Sequence, residues 1–389
     1  MKLPVYLDHN ATTPCDPAVV EAMLPYFSEK FGNAASRSHS YGWEAEEAVD
    51  HAREQVARLI GAEPKEIVFT SGATEADNLA LKGVFETYAQ KGNHIITCNI
   101  EHKAVMDTCH QLEKRGAEIT WLDVDRGGLI DIAKLEAAIR PTTVLIAIMH
   151  ANNEIGTLMP LKEIGALAKQ KGILLFSDAT QSVGKVPVNV NELGIDLLSF
   201  SAHKLYGPKG VGALYVRRKN PRVKLAAQMD GGGHEKGMRS GTLNVPGIVG
   251  FGKACEIAGL SMEKEAFRLA ALRDKLQNAV LQIEDTYING DTSCRLPHVC
   301  NVSFAHVDGE ALLLGLTKHI AVSSGSACTS ASMEPSYVLK ALGVEDSLAY
   351  SSIRFSLGRF TGENDVDFAI DLVSKTVKRL REESIVRRL

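Results

Sequence analysis

Two short apolar runs, 173–176 and 195–200, each end in residues that can do chemistry. The first runs into Ser177-Asp178-Ala179-Thr180-Gln181. The second runs into Ser201-Ala202-His203-Lys204, followed by Tyr206-Gly207-Pro208-Lys209-Gly210. An apolar run of this length bounded by turn residues reads as a buried strand, and α/β sheets bind ligands at the carboxyl ends of their strands. An aspartate and a lysine are therefore expected at one crevice. A lysine amine forms a Schiff base with pyridoxal phosphate, and an aspartate beside the ring nitrogen keeps it protonated so that the ring accepts electrons. Ser201 and His203, just before Lys204, are placed to bind the phosphate. Taken singly, Lys204 is a surface lysine after a strand and Asp178 a turn cap, since most lysines and aspartates are solvated. The pair is what points to chemistry.

Other polar turns follow strand-like runs. Residues 67–69 are apolar, and Thr70-Ser71-Gly72-Ala73-Thr74-Glu75 then opens an amphipathic helix through Ala76, Leu79, Ala80, Val84 and Tyr88. Such a turn offers free backbone N–H groups and the positive helix end to an anion, although the same letters serve ordinary N-capping by Ser71 or Thr74. The run 94–98 leads to Glu101-His102, and the run 143–149 to Asn152-Asn153, by itself a plain turn signal. Residues 228–244, QMDGGGHEKGMRSGTLN, form a glycine-rich irregular loop. The fork of Arg354 suits an α-carboxylate, and Arg218 in VRRK is a candidate assistant. Cys328 lies in VSSGSACTSAS, 322–332, where seven of eleven residues are Ser, Thr or Gly. Nothing there supports burial, so the stretch reads as an exposed mobile loop whose thiol reacts as thiolate.

These residues need a scaffold. Strand and helix patterns alternate from about 65 to 220, which predicts a mostly parallel sheet covered on both faces, an α/β fold. Helical spacing marks 43–60, closed by Gly61, then 161–170, 263–284 and 363–382. With 389 residues, two domains are expected. We assign 16–258 to a large domain, and 1–15 with 259–389 to a small one carrying the loop at about 322–333. The composition, 45% hydrophobic and 23% charged, is that of a soluble globular protein. A net charge of −4 gives no reason to expect direct nucleic-acid binding. No apolar run reaches the roughly 18 residues of a membrane span. The start, MKLPVYLDHNATTP, lacks a signal-peptide core and the look of a transit peptide, so a cytoplasmic protein is expected. Seven cysteines without a CxxC pair argue against a disulfide framework or a zinc site.

The strings SDATQSVGK, SFSAHKLYGPKGVGALYVRRK and SSGSACTS closely resemble the group I, IscS-like cysteine desulfurases of the class V pyridoxal-phosphate-dependent aminotransferase family, over about residues 4–380. The resemblance implies the aspartate aminotransferase-like, fold type I architecture: a seven-stranded sheet flanked by helices, plus a smaller α+β domain. It implies pyridoxal 5′-phosphate bound as a Schiff base on Lys204. Ala73, Thr74, Ser201 and His203 would hold the phosphate, His102 would stack on the ring, Asn153 would reach the phenolic oxygen, and Asp178 and Gln181 would complete the contacts. Thr242 would reach the phosphate of a neighbouring subunit, making a homodimer with shared sites. Arg354, with Asn153 and Arg218, would bind the substrate L-cysteine. Cys328 would become a persulfide, hand sulfur to an iron–sulfur scaffold protein (IscU-like) or to carriers for tRNA thiolation, and transiently ligate a 2Fe-2S cluster. The stretch LDHNATTP matches the family's LDxxATTP, which lines the active-site mouth, through Ala11 and Thr12. Ala34 stands where the family usually has proline. The tail after 384 reads as shorter than the one that helps hold the scaffold. From the residues alone a selenocysteine lyase or aminotransferase, and a non-catalytic scaffold, stay open.

Overall fold

The computed structural model describes residues 3–324 and 334–386. At its centre is a seven-stranded sheet in the order Ile67–Thr70, Gly212–Val216, Leu197–Ser201, Leu174–Asp178, Thr143–Ala147, His94–Cys98, Glu118–Leu122. Gly212–Val216 runs against both neighbours, and every other pairing is parallel. Successive side chains of a strand point to opposite faces. Ile96, Ile146, Leu175 and Leu198 join one core with the helix Ser40–Leu59 and the first half of Val245–Val280. Ile95, Leu145, Phe176 and Leu197 join the other, against Ala73–Thr87 and Lys103–Glu113. All residues of the central strands are buried. Burial on both faces is why they read as continuous apolar runs. The edge strand Glu118–Leu122 keeps four of its five residues partly or fully exposed, so no apolar run announces it.

A second sheet is antiparallel, in the order Ser323–Ser324, Ser352–Ser356, Val299–Phe304, Thr286–Ile288. Gly309–Thr317, Glu363–Val386 and the last turns of Val245–Val280 close over it through Leu276, Leu312, Leu316, Val366 and Val373. The N-terminal Val5–Tyr6 pairs in parallel with Ile320–Ala321, and Asp8 bridges to Ser356. The segment after residue 6 is thereby laid along the end of the second sheet.

One helix differs from expectation. The pattern predicts a start near 263, yet the helix runs unbroken over Val245–Val280, 36 residues and about 54 Å. Glycines 250 and 252 look like a break, but both are buried inside it. A Cβ on Gly252 would stand 2.6 Å from the Cα of Ala52 and 2.4 Å from Gln55 Oε1. Gly252 lets this helix press against Ser40–Leu59 and Gly250 lets it press against Met23 and Pro208, and tertiary packing outweighs their low helix propensity, a cost of about 1 kcal/mol each. Among the described residues no helix is long and apolar enough to cross a membrane.

Candidate active site

Parallel strands finish at one edge, and five of them deliver polar side chains to a cavity of about 650 Å³. Ile67–Thr70 leads to Gly72, Ala73 and Thr74, and His94–Cys98 leads to His102. Thr143–Ala147 leads to Met149 and Asn153. Leu174–Asp178 supplies Asp178 and Gln181, and Leu197–Ser201 supplies Ser201, His203 and Lys204. The opposite wall comes from Asn10, Ala11 and Thr12 and from Arg354 on the second sheet.

Lys204 ends a short 3₁₀ turn, Ala202–Lys204. Its Nζ donates to the backbone carbonyls of Asn10 (2.5 Å) and Ala11 (2.7 Å). Burial pulls the amine down to about 8, helped by Arg354 and opposed by Asp178 and Asp8. An amine so placed exchanges protons near neutral pH, as a catalytic lysine must. His203 is pushed down to about 4 by burial and by the charges of Lys204 and Lys209, so its ring is neutral. Its Nδ1 meets Thr12 Oγ1 at 3.1 Å. His102 caps the helix Lys103–Glu113, with Nδ1 accepting from the Ala104 N–H (3.2 Å). That bond puts any single ring proton on Nε2.

Asp178 is buried, and its Oδ1 accepts from the Thr180 N–H at 2.9 Å. Two further acids lie behind it. Asp77 is fully buried, and burial, then the neighbouring Asp178, holds its carboxyl well above the usual range; Ser199 Oγ donates to it at 2.5 Å. Glu101 is pushed up to about 8 by burial while accepting from the Met149 N–H (2.7 Å). Of these three acids, Asp178 is the one that lines the cavity.

The helix Ala73–Thr87 starts at Gly72 with no side chain capping it. Neither Ser71 nor Thr74 takes the capping role that their types allow, which leaves the first N–H groups open to the cavity. Arg354 reaches across from the second sheet. Its Nη2 donates to Asp8 Oδ1 (2.7 Å) and Ser323 Oγ (2.9 Å), its Nη1 to the Asn153 carbonyl (2.9 Å). Among the described residues, three polar atoms at or beside the cavity are buried without a partner: Asn153 Oδ1, Thr180 Oγ1 and Arg354 Nε. Unpaired buried polar atoms are costly unless something else satisfies them.

The structure thus gathers Ala73, Thr74, His102, Asn153, Asp178, Gln181, Ser201, His203, Lys204 and Arg354 at one cavity. Arg218, expected to help bind substrate, is not among the residues lining the cavity of its own chain. In the antiparallel pairing, Gly212 lies opposite Ser201 and Val216 opposite Leu197. The chain past Val216 is therefore at the far edge of the sheet, ~17 Å along the strand, where the Arg218 N–H donates to Glu66 Oε1 (3.0 Å). Thr242 is exposed and outside the cavity of its own chain. Cys328 lies outside the described residues. Asn10, Lys209, Asp77 and Glu101 were not expected at the site. For Asp77 the signal is an acid between the apolar positions 76, 79 and 80 of an amphipathic helix.

Comparison with known proteins gives this geometry its context. A family model described as Aminotransferase class-V matches residues 5–368. The chain is 59% identical over 385 residues to a protein named Cysteine desulfurase IscS from Anaeromyxobacter dehalogenans (strain 2CP-C), covering 99% of this chain and 95% of that one. It is 60% identical over 386 residues to a protein of the same name from Pectobacterium carotovorum subsp. carotovorum (strain PC1), with the same coverage. Among solved structures it is similar to one described as a NifS-like protein, with a TM-score of 0.90, 38% identity, and 97% and 100% of the two chains covered. A second, described as SspA in complex with cysteine, has a TM-score of 0.81 at 37% identity, covering 92% of this chain and 100% of that one.

Proposed function

Because the chain belongs to the class-V aminotransferase family, and within it to the cysteine desulfurases, we propose that it takes sulfur from L-cysteine, releases L-alanine and holds the sulfur on Cys328. The observation that carries this reading is the meeting of Lys204 and Asp178 at adjoining strand ends in one cavity, with the lysine amine held near neutrality. The enzyme depends on pyridoxal 5′-phosphate, and the residues fit that group. Asn153 Oδ1 is a buried acceptor with no partner, suited to a phenolic hydroxyl, and the uncapped helix start at Gly72 suits a phosphate. Bound there, pyridoxal phosphate supplies an electron sink for the substrate's α-carbon.

Each residue then has a task. Ala73, Thr74, Ser201 and the neutral His203 receive the phosphate, with Thr242 contributed by a second copy of the chain. Asp178 keeps a proton on the ring nitrogen, and His102 lies against the ring. Gln181 donates from Nε2 to the Asn10 carbonyl (3.0 Å), which holds it at the cavity edge. The Arg354 guanidinium takes the substrate carboxylate in exchange for its bonds to Asp8 and Ser323. Lys204 Nζ moves the α-proton. The Cys328 thiolate attacks the substrate sulfur; the C–S bond breaks, its electron pair goes to the carbon side, and a proton completes alanine as the Cys328–S bond forms.

Residues 16–258 serve as the cofactor-holding part, and 1–15 with 259–389 as the part bearing Cys328, with the helix Val245–Val280 crossing between them. The working form is a cytoplasmic homodimer. It passes sulfur to an iron–sulfur scaffold protein and to other acceptors, with Cys328 a transient ligand of the 2Fe-2S cargo. The test is to mix purified protein with L-cysteine and measure alanine and protein-bound sulfur for wild type and Cys328→Ala. Wild type should form both and the variant neither. Sulfide release by the variant at the wild-type rate would hand the reaction to a lyase mechanism.

A further inference from the structure

Asn10 is buried, and every polar atom it owns is engaged. Its N–H donates to Ser356 Oγ (2.9 Å), its Nδ2 donates to the Asn153 carbonyl (2.9 Å), and its Oδ1 meets His298 Nε2 (2.8 Å). Its own carbonyl accepts from Gln181 Nε2 (3.0 Å) and from Lys204 Nζ (2.5 Å). An amide Oδ1 only accepts, so His298 carries its proton on Nε2, and its Nδ1 is left as a buried atom with no partner. The amide orientation is settled at the other end, because the Asn153 carbonyl only accepts. The Asn10 side chain thus ties His298, at the start of the second sheet, to Asn153 on the cofactor-side wall, while its backbone bonds Ser356 on the one side and Gln181 and Lys204 on the other. With all of its own polar atoms bonded, the buried Asn10 is held rigidly.

We propose that Asn10 is a positioning residue: clamped between His298 and Asn153, it fixes the carbonyls of residues 10 and 11 as the resting place of the Lys204 amine whenever that amine is not bonded to the cofactor. During turnover the lysine must leave the cofactor, carry a proton and return. Two carbonyl oxygens at 2.5 and 2.7 Å turn the negative ends of their dipoles to Nζ, and hydrogen bonds to the charged form favour it, so this resting place favours the protonated amine. It works against burial, which favours the neutral form. The charges facing Lys204 are Arg354, which also disfavours the proton, and Asp178 and Asp8, which favour it; Lys185 and His203 lie near enough to feel it. None of these is removed when Asn10 is truncated, so a change in the lysine's acidity reports on the clamp.

The inference rests on Lys204 as the cofactor-bonding lysine, and the experiment separates the two. Full-length protein stripped of cofactor is mixed with pyridoxal phosphate, and its capture by Lys204 is followed as visible absorbance against pH. Capture needs a neutral Nζ, so the midpoint of the rate profile reads that amine. If wild type never captures the cofactor, the functional reading fails and the proposal with it. If it does, Asn10→Ala is expected to move the midpoint toward lower pH by about half a unit or more. His298→Ala, whose site is outside the cavity, should move it the same way. The double variant should go no further than the larger single shift, because both break one clamp. Superimposed profiles for wild type and both variants would overturn the proposal, and so would additive shifts. Melting temperatures run in parallel identify loss of fold. If Asn10→Ala does not fold, His298→Ala alone decides: a shift supports the clamp and no shift overturns it.

Discussion

The two walls of the cavity have different origins. The first is made of residues 70–74, 102, 149–153, 178–181 and 201–204, each within a few positions of a parallel strand's end. The second is made of Asn10–Thr12 and Arg354, and its main ion pair joins residues 346 positions apart, Asp8 and Arg354. The first wall presents groups for a cofactor: an acid, a lysine, an uncapped helix start. The second presents the Arg354 guanidinium, which in the proposed function takes the substrate carboxylate, and the carbonyls to which the lysine amine donates. The proposed function thus puts chemistry where one sheet's topology forces polar side chains together, and recognition where two sheets meet.

The largest effect should come from the first wall. On the proposed function Lys204→Ala removes both the covalent anchor and the base, and alanine formation should fall by about 10⁴-fold, the upper range for loss of general acid–base catalysis. Quantifying alanine in a long incubation checks this, and a loss of only a few fold would remove Lys204 from the reaction. Arg354→Gln tests the second wall. A hydrogen bond to a charged group contributes about 1.5–3 kcal/mol, so the KM for L-cysteine should rise roughly 10–100-fold with a smaller change in kcat. The reverse pattern, kcat falling at constant KM, would put Arg354 in the chemical step and erase the division between the walls.

The third effect concerns stability behind the first wall. Glu101 titrates at about 8 in the folded protein against its ordinary 4.5. Across that window the folded chain keeps a proton that the unfolded chain has lost, so stability falls as pH rises. Glu101→Gln keeps the acceptor for the Met149 N–H and cannot ionise. Its melting temperature should therefore decline less between pH 5 and pH 8 than that of wild type. Parallel curves would show that Glu101 is not held protonated.

The two walls were not equally legible in the sequence. Asp178 and Lys204 stand out because strands buried on both faces are continuous apolar runs, and polar residues at their ends are conspicuous. His102 and Asn153 follow the same rule. Asn10 has no such marker: it sits in a short polar segment whose partners, Ser356 and His298, are far along the chain, and only the folded second sheet brings them near. The helix start at Val245 was hidden by glycines whose use is close packing, Gly252 against Ala52 and Gln55 and Gly250 against Met23 and Pro208. Asp77 was hidden by its neighbours' helical pattern, which does not say that an acid can sit on the buried face, where burial raises its carboxyl well above the usual range.

Arg218 shows a further limit, and it carries the smallest predicted effect. VRRK follows SAHKLYGPKGVGALY closely, and nearness in sequence to Lys204 invites a shared site. Sequence pattern gives strands but not their direction. Gly212–Val216 runs antiparallel to Leu197–Ser201 and carries the chain away from the cavity. The contact described for Arg218 is through its backbone N–H, to Glu66 Oε1, and a side-chain truncation leaves it in place. Arg218→Ala should therefore leave the KM for L-cysteine within about twofold of wild type, since surface substitutions away from such features usually change little. Measured beside Arg354→Gln, it separates the two arginines by their place in the sheets rather than by their charge. A KM rise comparable to that of Arg354→Gln would mean that a second copy of the chain brings Arg218 to the cavity, and the second wall would then belong to two chains rather than one.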